Sequence, residues 1–389
     1  MTIREKFLTQ HKIKRYIKRK KWKKWKKLLS KEPNCKGLIR PQLFKFLKRY
    51  EGRKKCGNKD INKKLEIGII EIPQKINFFV NDESSLIIFN KKIERYCKST
   101  QKSIIINHKH LKSISIDGLL WLVSKIDILR NSIKLKLKID DESILKYNEK
   151  YGINKTLDKV RYVLLESGYW EYWNISKPYS VSQSVKNDYF LKIKSNNKHL
   201  GEDIVEIRKF INSKIGFMLS LQIQNYFDDA ITEAMANTCE HAYIEDIPLK
   251  MKNKWWLCGH YDTIENTLEF AFRDYGVGLR KTLEYNSNET IRSFFREIAN
   301  KAKSDSDIIK MLVNDELPKY KGKRDRIRGY GFKKFKEFAQ KCGYSCEMIV
   351  MSGNGKYHFK FNDEQETEET KIMPLFIDGF LICWKMKIR

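Results

Sequence analysis

The spacing of apolar residues divides the chain into three stretches. Over residues 12–29, Ile13, Ile17, Trp22, Trp25, Leu28 and Leu29 interrupt a Lys/Arg background at imperfect helical spacing, and a second basic helix is predicted over 41–50. From about 65 to 182, short β-branched runs alternate with helical stretches. SIIIN (103–107) reads as a buried strand, 117–129 as the helix after it, and IKLKLKI (133–139) as a strand with one wet face. From 187 onward, helices are predicted over 202–213, 222–243 and 331–341. Strands are predicted over 255–261, 267–273, 345–351, 356–362 and 380–387.

These patterns predict three parts: a basic helical arm (1–64), an α/β unit (65–182), and an α+β unit (187–389) with helices on one side of a mixed sheet. The longest apolar run, around 118–129, is short and broken by Lys125 and Asp127, so no bilayer span is expected.

Charge changes the picture for the first part. Of a formal +30, residues 1–64 hold 25 Lys and Arg against 4 Asp and Glu, a net of +21. Such a field attracts polyanions, with nucleic acid favoured over an anionic membrane surface; a solvated arm is the plainer alternative. Eight scattered cysteines without a CxxC pair read as reduced thiols in a cytoplasm, and the basic N-terminus lacks the apolar stretch of a secretory signal. His108 and His110 are expected on a strand or loop surface, not in a metal site.

The third part carries the candidate chemistry. In the helix over 222–243, Phe227, Ile231, Ala234, Met235, Thr238 and Ala242 share one face. Glu233, Asn237 and His241, spaced by four, form a second stripe that can present a carboxylate, an amide and an imidazole to a cleft. FRDYGVGL places Asp274, Gly276 and Gly278 after a strand, where glycines permit close backbone approach and a carboxylate can accept a hydrogen bond from an exocyclic amine. RGYGF places Gly329, Tyr330, Gly331 and Phe332 at a helix start, whose free N–H groups and positive dipole end suit phosphate. Each piece alone is weak. Their order, with each on the element its task requires, is what raises the signal.

Taken together, these motifs resemble the GHKL superfamily of ATPases, closest to anti-sigma-factor kinase-type domains, over about two hundred residues. EAMANTCEHAY resembles the N-box, DYGVGL the G1 box and RGYGF the G2 box. The resemblance implies a two-layer α/β sandwich (Bergerat fold) binding ATP and Mg²⁺. Asn237 would coordinate the metal, Glu233 would act as general base or orient the attacking group, Asp274 would read adenine, and 329–332 would hold the phosphates. Residues 280–328 would be the ATP lid, and His241 would support the site. The family's Gly-Thr pair before its last strand is replaced by Gly379-Phe380. The strand–SISIDG–helix order around Ser115, Ile116, Asp117 and Gly118 resembles the STAS domain of anti-anti-sigma factors, with Asp117 in place of the serine that accepts phosphate.

The function so implied is a Mg·ATP-binding regulatory ATPase whose nucleotide state gates interaction with a partner protein or with nucleic acid. Alternatives are a serine/threonine kinase of anti-sigma-factor type, and a nucleic-acid-binding module with a non-catalytic nucleotide site. A homodimer is compatible with each.

Overall fold

The computed structural model describes residues 67–388 except 81–83, 98–102, 109, 133–135, 141–154, 175–187, 199–200, 215–219, 243–251, 285–288, 290–291, 294–303, 317–319, 322–326, 329–330 and 343–344. The expected arm at 1–64 therefore lies outside the described residues. Residues 65–389 form one compact unit.

The unit begins with β1 (Ile67–Glu71), β2 (Lys75–Ile76), α1 (Ser84–Cys97), β3 (Ser103–Asn107), β4 (Ser113–Ile114), α2 (Ile116–Ser132) and β5 (Lys136–Asp140). β1, β3 and β5 make a parallel sheet in that order, as the strand–helix–strand pattern predicts. Helices α3 (Lys155–Glu166) and α4 (Tyr169–Tyr172) follow.

Then come β6 (Asp188–Asn196), α5 (Gly201–Lys214), α6 (Leu221–His241), β7 (Trp255–Asp262), β8 (Thr267–Asp274), α7 (Leu279–Glu284), α8 (Asp305–Val313), β9 (Tyr320–Lys321), β10 (Ile327–Arg328), α9 (Gly331–Lys341), β11 (Cys346–Asn362) and β12 (Gln365–Lys387). The large sheet runs β11-β12-β8-β7-β6. Every neighbour in it is antiparallel, which corrects the mixed sheet expected from sequence: β7–β8 and β11–β12 are hairpins, and β12 returns beside β8.

A second correction concerns layers. The sheet is covered on both faces, and its strands show this by alternation. Trp255, Leu257, Phe270, Phe272, Ile382 and Trp384 pack with α5, α6 and α9. Trp256, Cys258, Ala271, Ile349, Leu381 and Cys383 pack in a second core with α1 and α2. Helix α2 is buried almost all round from Ile116 to Leu129, because its sequence is apolar on every side. It fills the space between α1 and the large sheet.

The two charges that interrupt α2 are its ties to the sheet. Lys125, 2% exposed, pairs with Asp378 of β12. Asp127 pairs with Lys254 and accepts hydrogen bonds from the Tyr172 hydroxyl (2.8 Å) and Trp256 Nε1 (3.3 Å). Charges inside an apolar helix demand such partners. At the start of α2, Asp117 is buried and its Oδ2 accepts from Phe78 N at 2.7 Å; burial pushes its carboxyl above the usual range.

Three sequence expectations change further. The strands expected at 345–351 and 356–362 are one strand, β11, with irregular register between Ser352 and Gly355. The last strand starts at Gln365 instead of 380, after a turn in which Asp363 and Glu364 both have positive φ. His108 is not on a surface: it is 1% exposed, with Nε2 2.8 Å from the Tyr169 hydroxyl, because the aromatic cluster at 169–173 closes over it.

Candidate functional site

Helix α6 is the spine of the site. Ser220 caps it by accepting from Ile223 N. Phe227, Ile231, Ala234, Met235, Thr238 and Ala242 are all buried, so the apolar face read from sequence is the face that packs inward. Glu233 and Asn237 are half-buried beside it. His241 is the last residue of the helix.

Helix α9 packs on α6 through Phe338, whose ring lies 5.2 Å from that of Phe227. This brings the start of α9 to Glu233. A Cβ added at Gly331 would overlap the Glu233 carboxylate and stand 2.6 Å from its Cγ. The first N–H groups of α9 have no partner within the helix. Phe332 turns inward against Phe335 and Phe380. Gly329 and Tyr330 lie outside the described residues.

One turn past Glu233, the Asn237 amide contributes a buried Nδ2 without a hydrogen-bond partner. Such an orphan costs free energy unless a ligand satisfies it. Its neighbour Thr238 points the other way: Oγ1 donates to Ala234 O (2.9 Å) and approaches Asp274 Oδ2 at 3.3 Å.

Asp274 ends β8 and is 4% exposed. Its Oδ1 accepts from Gly276 N (2.8 Å) and Phe380 N (3.1 Å). Burial outweighs these bonds and pushes its carboxyl up to about 6. The turn after it docks on the end of α6, with Val277 N donating to Ala242 O at 2.8 Å. Gly379 abuts Asp274: its φ is +74°, and a Cβ there would sit 2.5 Å from Asp274 Oδ1. Gly278 and Gly379 are tied by Ser352, whose Oγ donates to Gly379 O (2.7 Å), accepts from Leu279 N (3.0 Å) and lies 3.1 Å from where a Cβ on Gly278 would be.

The structure thus gathers Glu233, Asn237, Asp274, Gly276, Gly278, Gly331 and Gly379 around the C-terminal half of α6. No family model matches this chain, and no curated protein does.

Two features are not evident in the sequence. Hydroxyls reach the Asp274 corner from Thr238 and Ser352, although the position after Gly379 is the buried Phe380. Apolar spacing places Thr238 on the core face and says nothing of its hydroxyl; a threonine four residues after an alanine on a helix, facing a strand end, is the available signal. Part of the expected lid is also fixed in the core. Helix α8 buries Ile308, Ile309, Leu312 and Val313, is closed by a Ser304/Asp307 capping box, and is held by an Arg280–Asp305 ion pair at 2.6 Å. Lys319, Lys323, Arg324 and Arg326 lie outside the described residues.

Proposed function

We propose that this chain is a GHKL-type, Mg·ATP-binding regulatory ATPase whose nucleotide state gates contact with a partner protein or nucleic acid. The observation that carries the reading is the meeting of the α9 start with Glu233, one turn from the orphaned amide of Asn237. Helices α5, α6 and α9 on one face of the antiparallel sheet support the Bergerat-type sandwich. The residues fit the cofactors: an amide whose orphaned Nδ2 can donate to a phosphate oxygen and whose Oδ1 is the atom that could face Mg²⁺, glycines at close approach, and a carboxylate whose Oδ2 retains acceptor capacity.

In this reading Asn237 holds Mg²⁺, the N–H groups at Gly331 and Phe332 hold phosphates, and Asp274 accepts from the adenine amine. Bound ATP supplies the transferable γ-phosphoryl group. Glu233 orients a water and takes up its proton. Gating is supported by the order of residues at one corner. Asp378 pairs with Lys125 of α2, and the next residue, Gly379, abuts Asp274, so adenine contact and the α2 anchor are one peptide apart.

Titration of the full chain with Mg·ATP tests the binding claim. Asn237→Ala should weaken affinity at least about tenfold, and equal affinity in the variant rejects the site. With γ-labelled ATP, slow release of free phosphate is expected, and Glu233→Ala should bind ATP without turnover. Label transferred to protein would instead establish the kinase reading.

A further inference from the structure

Asp274 Oδ1 is held by two chain segments: Gly276 N of the turn after β8, and Phe380 N of β12. Phe380 N belongs to the same planar peptide group as the Gly379 carbonyl. That carbonyl is where the Ser352 hydroxyl donates, at 2.7 Å, and the same hydroxyl oxygen accepts from Leu279 N at 3.0 Å. These bonds form one directed chain. Leu279 N–H donates to Ser352 Oγ, Ser352 O–H donates to the Gly379–Phe380 peptide, and the N–H of that peptide donates to Asp274 Oδ1. Each step donates toward the carboxylate, so the bonds polarise one another in the same sense.

A buried serine is ordinarily a satisfied packing residue, and Ser352 is 2% exposed. Its surroundings give it a more specific task. Gly278 has φ +85°, and a Cβ there would stand 3.1 Å from Ser352 Oγ. Gly379 has φ +74°, and a Cβ there would stand 2.5 Å from Asp274 Oδ1 and 2.7 Å from Gly276 N. Two glycines in left-handed conformation thus let the turn at 276–278 and the strand β12 close on Asp274. Ser352 is bonded to both, to β12 through Gly379 and to the end of the turn through Leu279. With Oδ1 engaged by two N–H groups, Oδ2 is the oxygen with acceptor capacity for a ligand; Thr238 Oγ1 approaches it at 3.3 Å.

We propose that Ser352 is a positioning residue for Asp274, fixing through the Gly379–Phe380 peptide which carboxylate oxygen is presented to a nucleobase amine. The inference rests on the nucleotide reading above and adds to it a residue outside the three motifs. Without the hydroxyl, the Gly379 carbonyl and Leu279 N lose this partner, the 379–380 peptide is free to tilt, and its N–H loosens its hold on Oδ1. The phosphate contacts proposed at the start of α9 come from a different element and do not depend on this chain of bonds.

Competition binding to the full chain in Mg²⁺ tests the inference with three ligands: ATP, purine riboside 5′-triphosphate, which lacks the 6-amino group, and inorganic tripolyphosphate. The wild type should prefer ATP over the purine riboside compound by at least about tenfold. Ser352→Ala should cut that preference to about threefold or less while leaving tripolyphosphate affinity within about twofold. Ser352→Cys fills the site with a much weaker hydrogen-bonding group and should behave the same way. A wild type without the preference rejects the adenine contact of the nucleotide reading, and the Ser352 role with it. A wild-type preference that both variants keep overturns the positioning role alone. So does an equal loss across all three ligands, the result that a merely structural serine would give.

Discussion

Gly331 lies close against Glu233: a Cβ there would stand 2.6 Å from Glu233 Cγ, so a side chain at 331 requires Glu233 to move. Overpacking of this kind costs about 1–3 kcal/mol. Gly331→Ala should therefore lower the urea midpoint and weaken Mg·ATP binding together. In a Glu233→Ala background the obstructing carboxylate is gone, and the stability cost of Gly331→Ala should shrink to within about 0.5 kcal/mol. A cost unchanged in the double variant would show that the two residues do not meet.

Asp274 predicts a pH dependence. Its carboxyl titrates at about 6 in the folded chain against an ordinary 3.8, because burial disfavours its charge. Between these values the folded chain holds a proton that the unfolded chain has released. Its contribution is thus complete below pH 4 and is lost as pH rises through about 6, by up to roughly 3 kcal/mol. Urea midpoints from pH 4 to 7 should show this slope in the wild type and lack it in Asp274→Asn. The proposed adenine contact uses the ionised form, so under that proposal nucleotide affinity should fall as pH drops below about 6.

Thr238 brings a hydroxyl to Asp274, and Phe380, the residue after Gly379, packs against Phe332 and Phe335. Thr238→Val keeps the shape and removes the hydroxyl near Asp274. It should cost about 1 kcal/mol and move the Asp274 titration upward, readable in the same pH series. Phe380→Thr restores the familiar Gly-Thr pair but empties the space between Phe332 and Phe335. It should cost about 3 kcal/mol or more in thermal or urea unfolding and gain no affinity.

The Lys125–Asp378 pair predicts an asymmetry. Burial pushes the Lys125 amine down from its ordinary value, and Asp378 opposes that shift. Asp378→Asn strands a buried cation and should cost about 3–5 kcal/mol. Lys125→Met keeps the aliphatic stem and removes the charge, so it should cost less. The double variant should be milder than the sum of the two. Additive costs in urea unfolding would mean that the pair is not coupled.

Regular elements with strong periodicity are legible in the amino-acid sequence. Gly331–Lys341, Ser103–Asn107 and the inward face of α6 stand where the apolar spacing puts them. Tertiary context decides the rest. The stretch QETEETK looks like a polar loop, yet it forms strand because β11 offers it a paired edge. Exposed Ile372 and Phe376 hide the alternation of the buried Met373, Leu375 and Ile377. For the candidate site, local motifs pick out Glu233, Asn237, Asp274, Gly276, Gly278 and Gly331, which the structure describes near α6. Thr238 and Ser352 become visible only when the strand ends and the helix end are brought to one corner.

The burial of α2 between two layers has a consequence for how the chain is made. Lys125 and its partner Asp378 are 253 positions apart. At ordinary translation rates of about 5–20 residues per second, α2 leaves the ribosome roughly 13–50 s before Asp378 of β12. Throughout that interval the sheet over Leu119, Leu120, Trp121, Leu122 and Val123 lacks β12, the last of the strands that pack on α2; β7 and β8 emerge earlier. The buried Lys125 thus waits for its partner while the sheet is incomplete, and the yield in cells should depend on holdase chaperones more than the final stability suggests.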